Sequence, residues 1–448
     1  MTNPELLQLL RSEVIPAIGC TEPIAVALCT ARAKELLGAE PDSITVHLSK
    51  NVYKNALAVG IPNTGMTGLP IAIALGATVG RSEYMLEVLR DATPEAVAHA
   101  KAYMLRVPAT IKVDYEAPSL LYIHVEVSKE GQMAQATIMD EHTHFVTSPI
   151  SHSPAANSPQ DVQYPIGGTP SNSPQSLNLR RVYDFAASVD TTELTFLLEG
   201  AEMNTAAAET SFANQYGHGL GRLLRPIPNS AASNSPQDVQ YPIGGTPSAL
   251  SLFGNTLFTK IISYTCGACD ARMSGAMVQV MSNSGSGNQG ISCSIPVYLY
   301  AKENNCTEEQ TLRALALSNL TVIYIKQSLG RLSALCGCVV AATGSAAGIT
   351  YLMGGTYDEI TYAIKNMIAN ISGMICDGAK PGCALKVTSG VATAIFSAYL
   401  AMQHSYADST EGIVEDDIDR TIRNLTRIGH DGMKVTDDLI LDIMTHKQ

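Results

Sequence analysis

Basic side chains are scarce: 29 Lys and Arg stand against 41 Asp and Glu, a net charge of −12. Such a chain repels polyanions, which excludes nucleic acid as a natural partner. Charge of either sign is sparse, 16% of residues against 46% hydrophobic, which rules out disorder of the whole chain and leaves apolar mass for a large core. The opening Met1 to Arg11 (MTNPELLQLLR) lacks both a basic start and a long apolar stretch, so no secretory signal is legible. No bilayer span is legible either. The apolar run Val339 to Met353 is rich in small residues and Thr/Ser and shorter than the roughly 20 residues a span needs, so it reads as a buried helix. A cytoplasmic protein without a membrane partner is expected, and its ten cysteines are then reduced thiols, free for metal or catalysis.

The 448 residues correspond to roughly two to three domains. Residues 1–147 read as α+β. Helices are expected from about Pro4 to Ile15 and Pro23 to Leu37, separated by a turn over Pro16 to Thr21. A half-buried strand is expected over Ser43 to Ser49, where apolar and polar residues alternate. The stretch Val52 to Gly80 reads as a loop and then a buried helix from Leu69, with a further helix over Pro94 to Met104. From Thr110 to Val146, the runs TIKVDY, LYIHVEV, AQATIMD and THFV predict an antiparallel meander.

Residues 148–250 hold an internal repeat. Asn157 to Ser171 (NSPQDVQYPIGGTPS) recurs identically at Asn234 to Ser248, and a partial copy begins at Asn172. Two copies are too few for a solenoid, and the Pro, Gly and Ser content predicts surface inserts whose deletion leaves activity and stability nearly unchanged. The segment between them, Leu177 to Leu224, reads as two or three short helices. Residues 251–448 are almost entirely helical, with apolar stripes in Glu308 to Leu329, Arg331 to Met353, Tyr357 to Met374, Ala384 to Met402 and Asp416 to Arg427. The fold class is thus α+β, an N-terminal part with an antiparallel sheet followed by a helical C-terminal part.

Cys336, Cys376 and Cys383 form the sharpest candidate metal site. Cys376 and Cys383 bracket CDGAKPGC, whose Gly378, Pro381 and Gly382 turn the backbone so that two thiolates can face one centre. Soft thiolates select zinc or iron–sulfur clusters, and a cluster with only three of them keeps one iron open. Cys266 and Cys269 form a CxxC pair that is open between a zinc half-site and a redox dithiol. Cys338 is expected to point away from Cys336 on a helix, and Cys29, Cys293 and Cys306 to pack or sit in loops.

Asn283 to Gly290 (NSGSGNQG) exposes backbone N–H groups and small polar side chains, a cradle for a carboxylate or phosphate. Ser284, Ser286, Asn288 and Gln289 are therefore candidate substrate contacts. Asn63 and Thr64 in GIPNTGMTGL are further candidates. Cys20, in GCTEP, falls at the start of a predicted helix, where the helix dipole favours thiolate and suits a base or nucleophile. His142 and His144 read as a pair on a strand surface.

These residues resemble the cysteine desulfidase and UPF0597 group, related to the α-chain of bacterial iron–sulfur serine dehydratases. The matching stretches are GCTEP (19–23), GMTGLP (65–70), DARM (270–273), MSNSGSGNQGI (281–291), RLSALC (331–336) and GMICDGAKPGC (373–383). The resemblance implies a four-iron, four-sulfur cluster held by Cys336, Cys376 and Cys383, with Cys20 as proton acceptor, and makes residues 251–448 an iron–sulfur domain. The implied reaction is β-elimination of L-cysteine to pyruvate, ammonia and hydrogen sulfide. The implied partner is a small amino-acid substrate, and a homo-oligomer is a further expectation. The alternatives are L-serine dehydration at the same cluster, a pyridoxal-phosphate lyase using Lys386, and a non-catalytic thiol-rich metal-binding or redox protein.

Overall fold

The computed structural model describes residues 1–146, 177–225, 254–330 and 332–447. Both copies of the 15-residue repeat lie outside them.

Helix α1 (Asn3–Glu13) starts at a capping box between Thr2 and Glu5. Next comes a short strand, β1 (Pro16–Ile18), where the sequence predicts only a turn. Its partner is β6 (Gln279–Met281), antiparallel and far along the chain, and three residues are too few to show an alternating pattern. Helix α2 (Thr21–Leu37) ends on Gly38, whose left-handed backbone lets its N–H donate to the Lys34 carbonyl.

Strand β2 (Ser43–Ser49) has the expected bounds. It runs into α3 (Lys50–Ala56), which the sequence reading placed in a loop. Helices α4 (Leu69–Thr78) and α5 (Pro94–Arg106) follow, then strands β3 (Thr110–Asp114), β4 (Tyr122–Lys129) and β5 (Gln132–Met139).

The sheet order is β3-β2-β4-β5, so the expected meander needs correction. Only β4 and β5 form a hairpin, turned by Glu130 and Gly131, both at positive φ. Strand β2 inserts between β3 and β4 and pairs parallel with β3 from Thr45↔Thr110 to Ser49↔Asp114. Alternation marks a strand but not its neighbour. The THFV run contributes a single bridge, Ile138↔Phe145, and no strand.

The middle segment forms α6 (Leu179–Ser188), α7 (Thr195–Ala213) and the single turn α8 (Leu220–Leu223). Then come α9 (Leu257–Met273), α10 (Gly287–Glu303), α11 (Glu308–Leu329), α12 (Gly337–Leu352), α13 (Tyr357–Ile371), α14 (Cys383–Met402), α15 (Ile418–Arg427) and α16 (Lys434–Thr445). The Arg331 to Met353 stripe becomes helical only at Gly337. Just before it, Leu335 is bridged to Ile375 beside the CDGAKPGC arm: Cys336 N–H donates to the Met374 carbonyl and Cys376 N–H to the Ala334 carbonyl.

One apolar core unites α2, α4 and the inner face of the four-stranded sheet. A second unites the helices from α6 to α15 and takes in Leu6, Leu10 and Val14 from the first residues. Small residues set the helix spacing: a Cβ on Gly344 would lie 2.5 Å from the Ser318 carbonyl oxygen, so α11 and α12 meet backbone to backbone. Among the described residues one helix, α14, is long and apolar enough to cross a membrane by length and composition. It packs on α9, α12 and α13 and buries Val387, Val391, Ala394 and Ala398.

Candidate active site

Helices α2, α10, α12 and α14 are 17, 17, 16 and 20 residues long and begin on one cavity. Their capping positions are Cys20, Ser286, Cys336 and Gly382, and none is capped by its own side chain. Four positive helix ends therefore face a cavity of about 90 Å³, a field suited to thiolates and a small anionic ligand. The walls also bring in Glu22, Asn55, His142, Arg272, Lys326, Cys376 and Cys383.

The loop before α10 is fixed from outside. Asn283 and Ser286 exchange backbone hydrogen bonds across Ser284 and Gly285, both at positive φ. Ser284 N–H donates to the Glu13 carbonyl, and the Asn283 amide donates to Asn319 Oδ1 at 2.8 Å. Close approach requires Gly290: a Cβ there would stand 1.9 Å from the Met281 carbonyl oxygen. Ser284, Ser286, Asn288 and Gln289 all line the cavity.

Cys336, Cys376 and Cys383 line the same cavity although 40 residues separate the first two. A hydrogen bond from the Cys338 thiol, opposed by burial and assisted by the Lys386 charge, brings Cys336 down to about 7. Burial raises Cys376, and raises Cys383 to about 11. Cys336 is thus the most acidic thiol of the three, and protons compete with any metal at Cys376 and Cys383. Among the described residues no three His, Cys, Asp or Glu side chains close on a single ion; the three thiols surround a space. Behind them, the buried Lys54 ammonium pairs with Asp437 of α16 and donates to the Cys376 carbonyl at 3.4 Å.

Cys20 caps α2, as its position predicts, but the expectation of a thiolate needs correction. Its thiol donates to Glu22 Oε2 at 3.1 Å, and burial, then the Glu22 charge, raises it well above the ordinary thiol value. These outweigh the helix end. Glu22 itself stays below the usual carboxylate range despite its burial, because of the nearby His142 and hydrogen bonds from Cys20 and the Asn55 amide.

Other expectations also change. Asn63 and Thr64 stand outside the cavity: the Asn63 amide donates to the Ala92 carbonyl and the Thr64 hydroxyl to the Ile61 carbonyl. Cys338 lines the cavity with Cys336, because Cys336 precedes the helix and the helical offset does not apply. His142 and His144 share no strand; they follow β5, with His142 buried on the cavity wall and His144 exposed. Lys386 is tied to Asp377 and the Ile375 carbonyl and its pKa is raised, against the free amine that a Schiff base needs. Cys266 and Cys269 are buried within α9, and burial raises both. Cys29 and Cys293 are buried and Cys306 lies in a loop, as expected.

Sequence reasoning gave no site role to Glu22, Asn55 or Arg272, and read His142 as half of a strand-surface pair. A signal existed for two: Glu22 lies inside GCTEP and Arg272 inside DARM, both stretches that carry the family resemblance. Asn55 and His142 reach the cavity through folding alone.

A family model described as serine dehydratase alpha chain matches residues 83–442. The chain is 53% identical over 450 residues to a UPF0597 protein of Phocaeicola vulgatus, covering 99% of this chain and 98% of the relative. It is 53% identical over 443 residues to one of Bacteroides thetaiotaomicron, with coverage of 99% and 98%, and 46% identical over 449 residues to one of Porphyromonas gingivalis, with coverage of 100% and 99%. The chain belongs to the UPF0597 family, and its match to the serine dehydratase alpha chain supports a lyase-like function.

Proposed function

We propose that this chain is an L-cysteine desulfidase, converting L-cysteine and water to pyruvate, ammonia and hydrogen sulfide. The observation that carries the reading is the gathering of Cys336, Cys376 and Cys383 on the same cavity as Cys20. The donor set suits a four-iron, four-sulfur cluster: three soft thiols around a space, one of them acidified, under four positive helix ends. When bound, such a cluster supplies a Lewis-acidic iron for the leaving sulfur.

The chain's own residues would do the rest. Ser284, Ser286, Asn288 and Gln289 orient the substrate in a cavity that admits only a small molecule. Cys20 takes the Cα proton as thiolate, and for this its own proton must first be lost to solvent, against the burial and the Glu22 charge that hold it. Loss of the Cα proton and of hydrosulfide from Cβ leaves aminoacrylate, which tautomerises and hydrolyses in water. Buried walls keep bulk water from the proton transfer.

L-Serine dehydration is the second reading, favoured by the family match to serine dehydratase. The two substrates differ by one atom, and hydroxide would leave in place of hydrosulfide. Anaerobic purification with iron and acid-labile sulfide analysis, followed by assays of both amino acids, tests the proposal. Brown, iron-containing protein releasing hydrogen sulfide and pyruvate from L-cysteine is expected. Iron-free protein inactive on both would overturn it, and turnover of L-serine alone would select the second reading. A cytoplasmic setting and a homo-oligomer complete the proposal.

A further inference from the structure

Arg272 is among the largest fully buried side chains, 1% exposed, in the last turn of α9. Its Nη1 donates to Asn288 Oδ1 at 3.0 Å. Its Nε and Nη2 are buried and have no hydrogen-bond partner, and no carboxylate among the described residues pairs with it. Asp270, two residues away, is occupied by the His218 backbone N–H. Yet Arg272 lines the cavity beside Cys20, Asn288 and Gln289.

An arginine buried without a counter-charge is strongly unfavourable, because the guanidinium has lost its water and gained no anion. The unpartnered pair is Nε and Nη2, the two N–H groups on one edge of the plane, which together grip both oxygens of a carboxylate. The fold is shaped around this side chain: a Cβ on Gly287 would lie 2.3 Å from Nε, so the first residue of α10 can only be glycine while the guanidinium keeps its place. Asn288, next in α10, then fixes the plane through Nη1. Gln289 Oε1, also buried and unpartnered, remains as an acceptor for an ammonium group. Lys326, the lysine on the wall, already has a partner.

We propose that Arg272 binds the α-carboxylate of the substrate through Nε and Nη2, with Gln289 Oε1 accepting from the α-ammonium, so that the cavity selects small α-amino acids by their head group. This rests on reading the cavity as an amino-acid site. The reactive side chain is then left to the thiol-lined wall.

The test uses two thiols that each lack one half of the head group: 3-mercaptopropionate keeps the carboxylate, and cysteamine keeps the amine. Their affinities are measured by calorimetry on iron-loaded protein, wild type, Arg272→Lys and Arg272→Gln, with iron content checked for each. Wild type is expected to prefer 3-mercaptopropionate. Arg272→Gln should weaken it by about 10- to 100-fold, the range for a lost charge-assisted bond, while cysteamine is unchanged, and Arg272→Lys should fall between. Equal weakening of both ligands, or of neither, overturns the assignment. If neither variant folds, a wild-type protein with no preference for the carboxylate thiol overturns it as well. Wild type that prefers 3-mercaptopropionate but turns over neither L-cysteine nor L-serine would sink the proposed reaction and keep the role of Arg272.

Discussion

The Cys20 sulfur lies 3.1 Å from Glu22 Oε2, a thiol donating to a carboxylate with both side chains buried. The carboxylate holds the thiol in place and, by its charge, opposes the thiol's ionisation. A thiol held this way is protonated at rest.

If Cys20 takes the Cα proton, Cys20→Ser should keep its iron while turnover falls about 100-fold or more, within the span of a general base. Loss of iron in this variant would instead make Cys20 a ligand. Iron analysis and steady-state kinetics on the same preparation separate the two.

The second prediction concerns pH. Cys20 is raised by burial and then by Glu22, so the thiolate fraction, and kcat/KM with it, should climb as pH rises. Glu22→Gln removes the negative charge but not the burial, which lowers the thiol pKa and moves the climbing limb to lower pH. A limb that stays in place would remove Cys20 thiolate from the mechanism.

Loading of metal carries its own sign. Burial raises Cys376, and Cys383 to about 11, so protons compete with metal at both thiols, and iron retention should weaken as pH falls. Cys336→Ser, Cys376→Ser and Cys383→Ser should each lose iron, whereas Cys266→Ala should retain it, as read by iron and sulfide content.

Asp437→Asn leaves the Lys54 ammonium buried without its partner. Unfolding in urea should show a loss of about 3–5 kcal/mol, the usual cost of breaking a buried pair from one side, together with faster iron loss from the loop that Lys54 contacts. Unchanged stability and iron retention would show that the pair holds nothing.

The repeat copies at Asn157 to Ser171 and Asn234 to Ser248 offer a separate test. Their composition leaves little apolar surface to bury. Replacing one copy with a Gly/Ser stretch of equal length should leave turnover and Tm nearly unchanged, and a marked fall in either would assign the copy a structural role.

Much of the helical half is legible in sequence, because a long amphipathic or apolar run carries its own period; Glu308–Leu329 matches to the residue. The thiol trio is legible as a motif, and its place on one cavity needs only the chain to fold back between Leu335 and Ile375. Tertiary pairing is not written locally. The parallel neighbour of β2, the three-residue strand β1 and helix α3 depend on what the remainder of the chain presents to them. The same holds for charge: the end of α2 predicts a thiolate at Cys20, but burial, and then the charge of Glu22 two residues on, reverse the sign. His142 is recruited from a turn after β5, and nothing in its neighbours announces the wall it joins.

The Lys54–Asp437 pair also bears on the order of biosynthesis. The cavity takes wall residues from Cys20 to Cys383, and the strap behind Cys376 joins a helix formed early to one translated more than 380 residues later. While the ribosome is still short of Asp437, the emerging polypeptide holds every thiol of the trio without the brace at its back. On the iron reading proposed above, firm loading would follow translation, and a chain cut short before Asp437 by a nonsense codon or a protease would keep Cys336, Cys376 and Cys383 while lacking the Lys54–Asp437 brace.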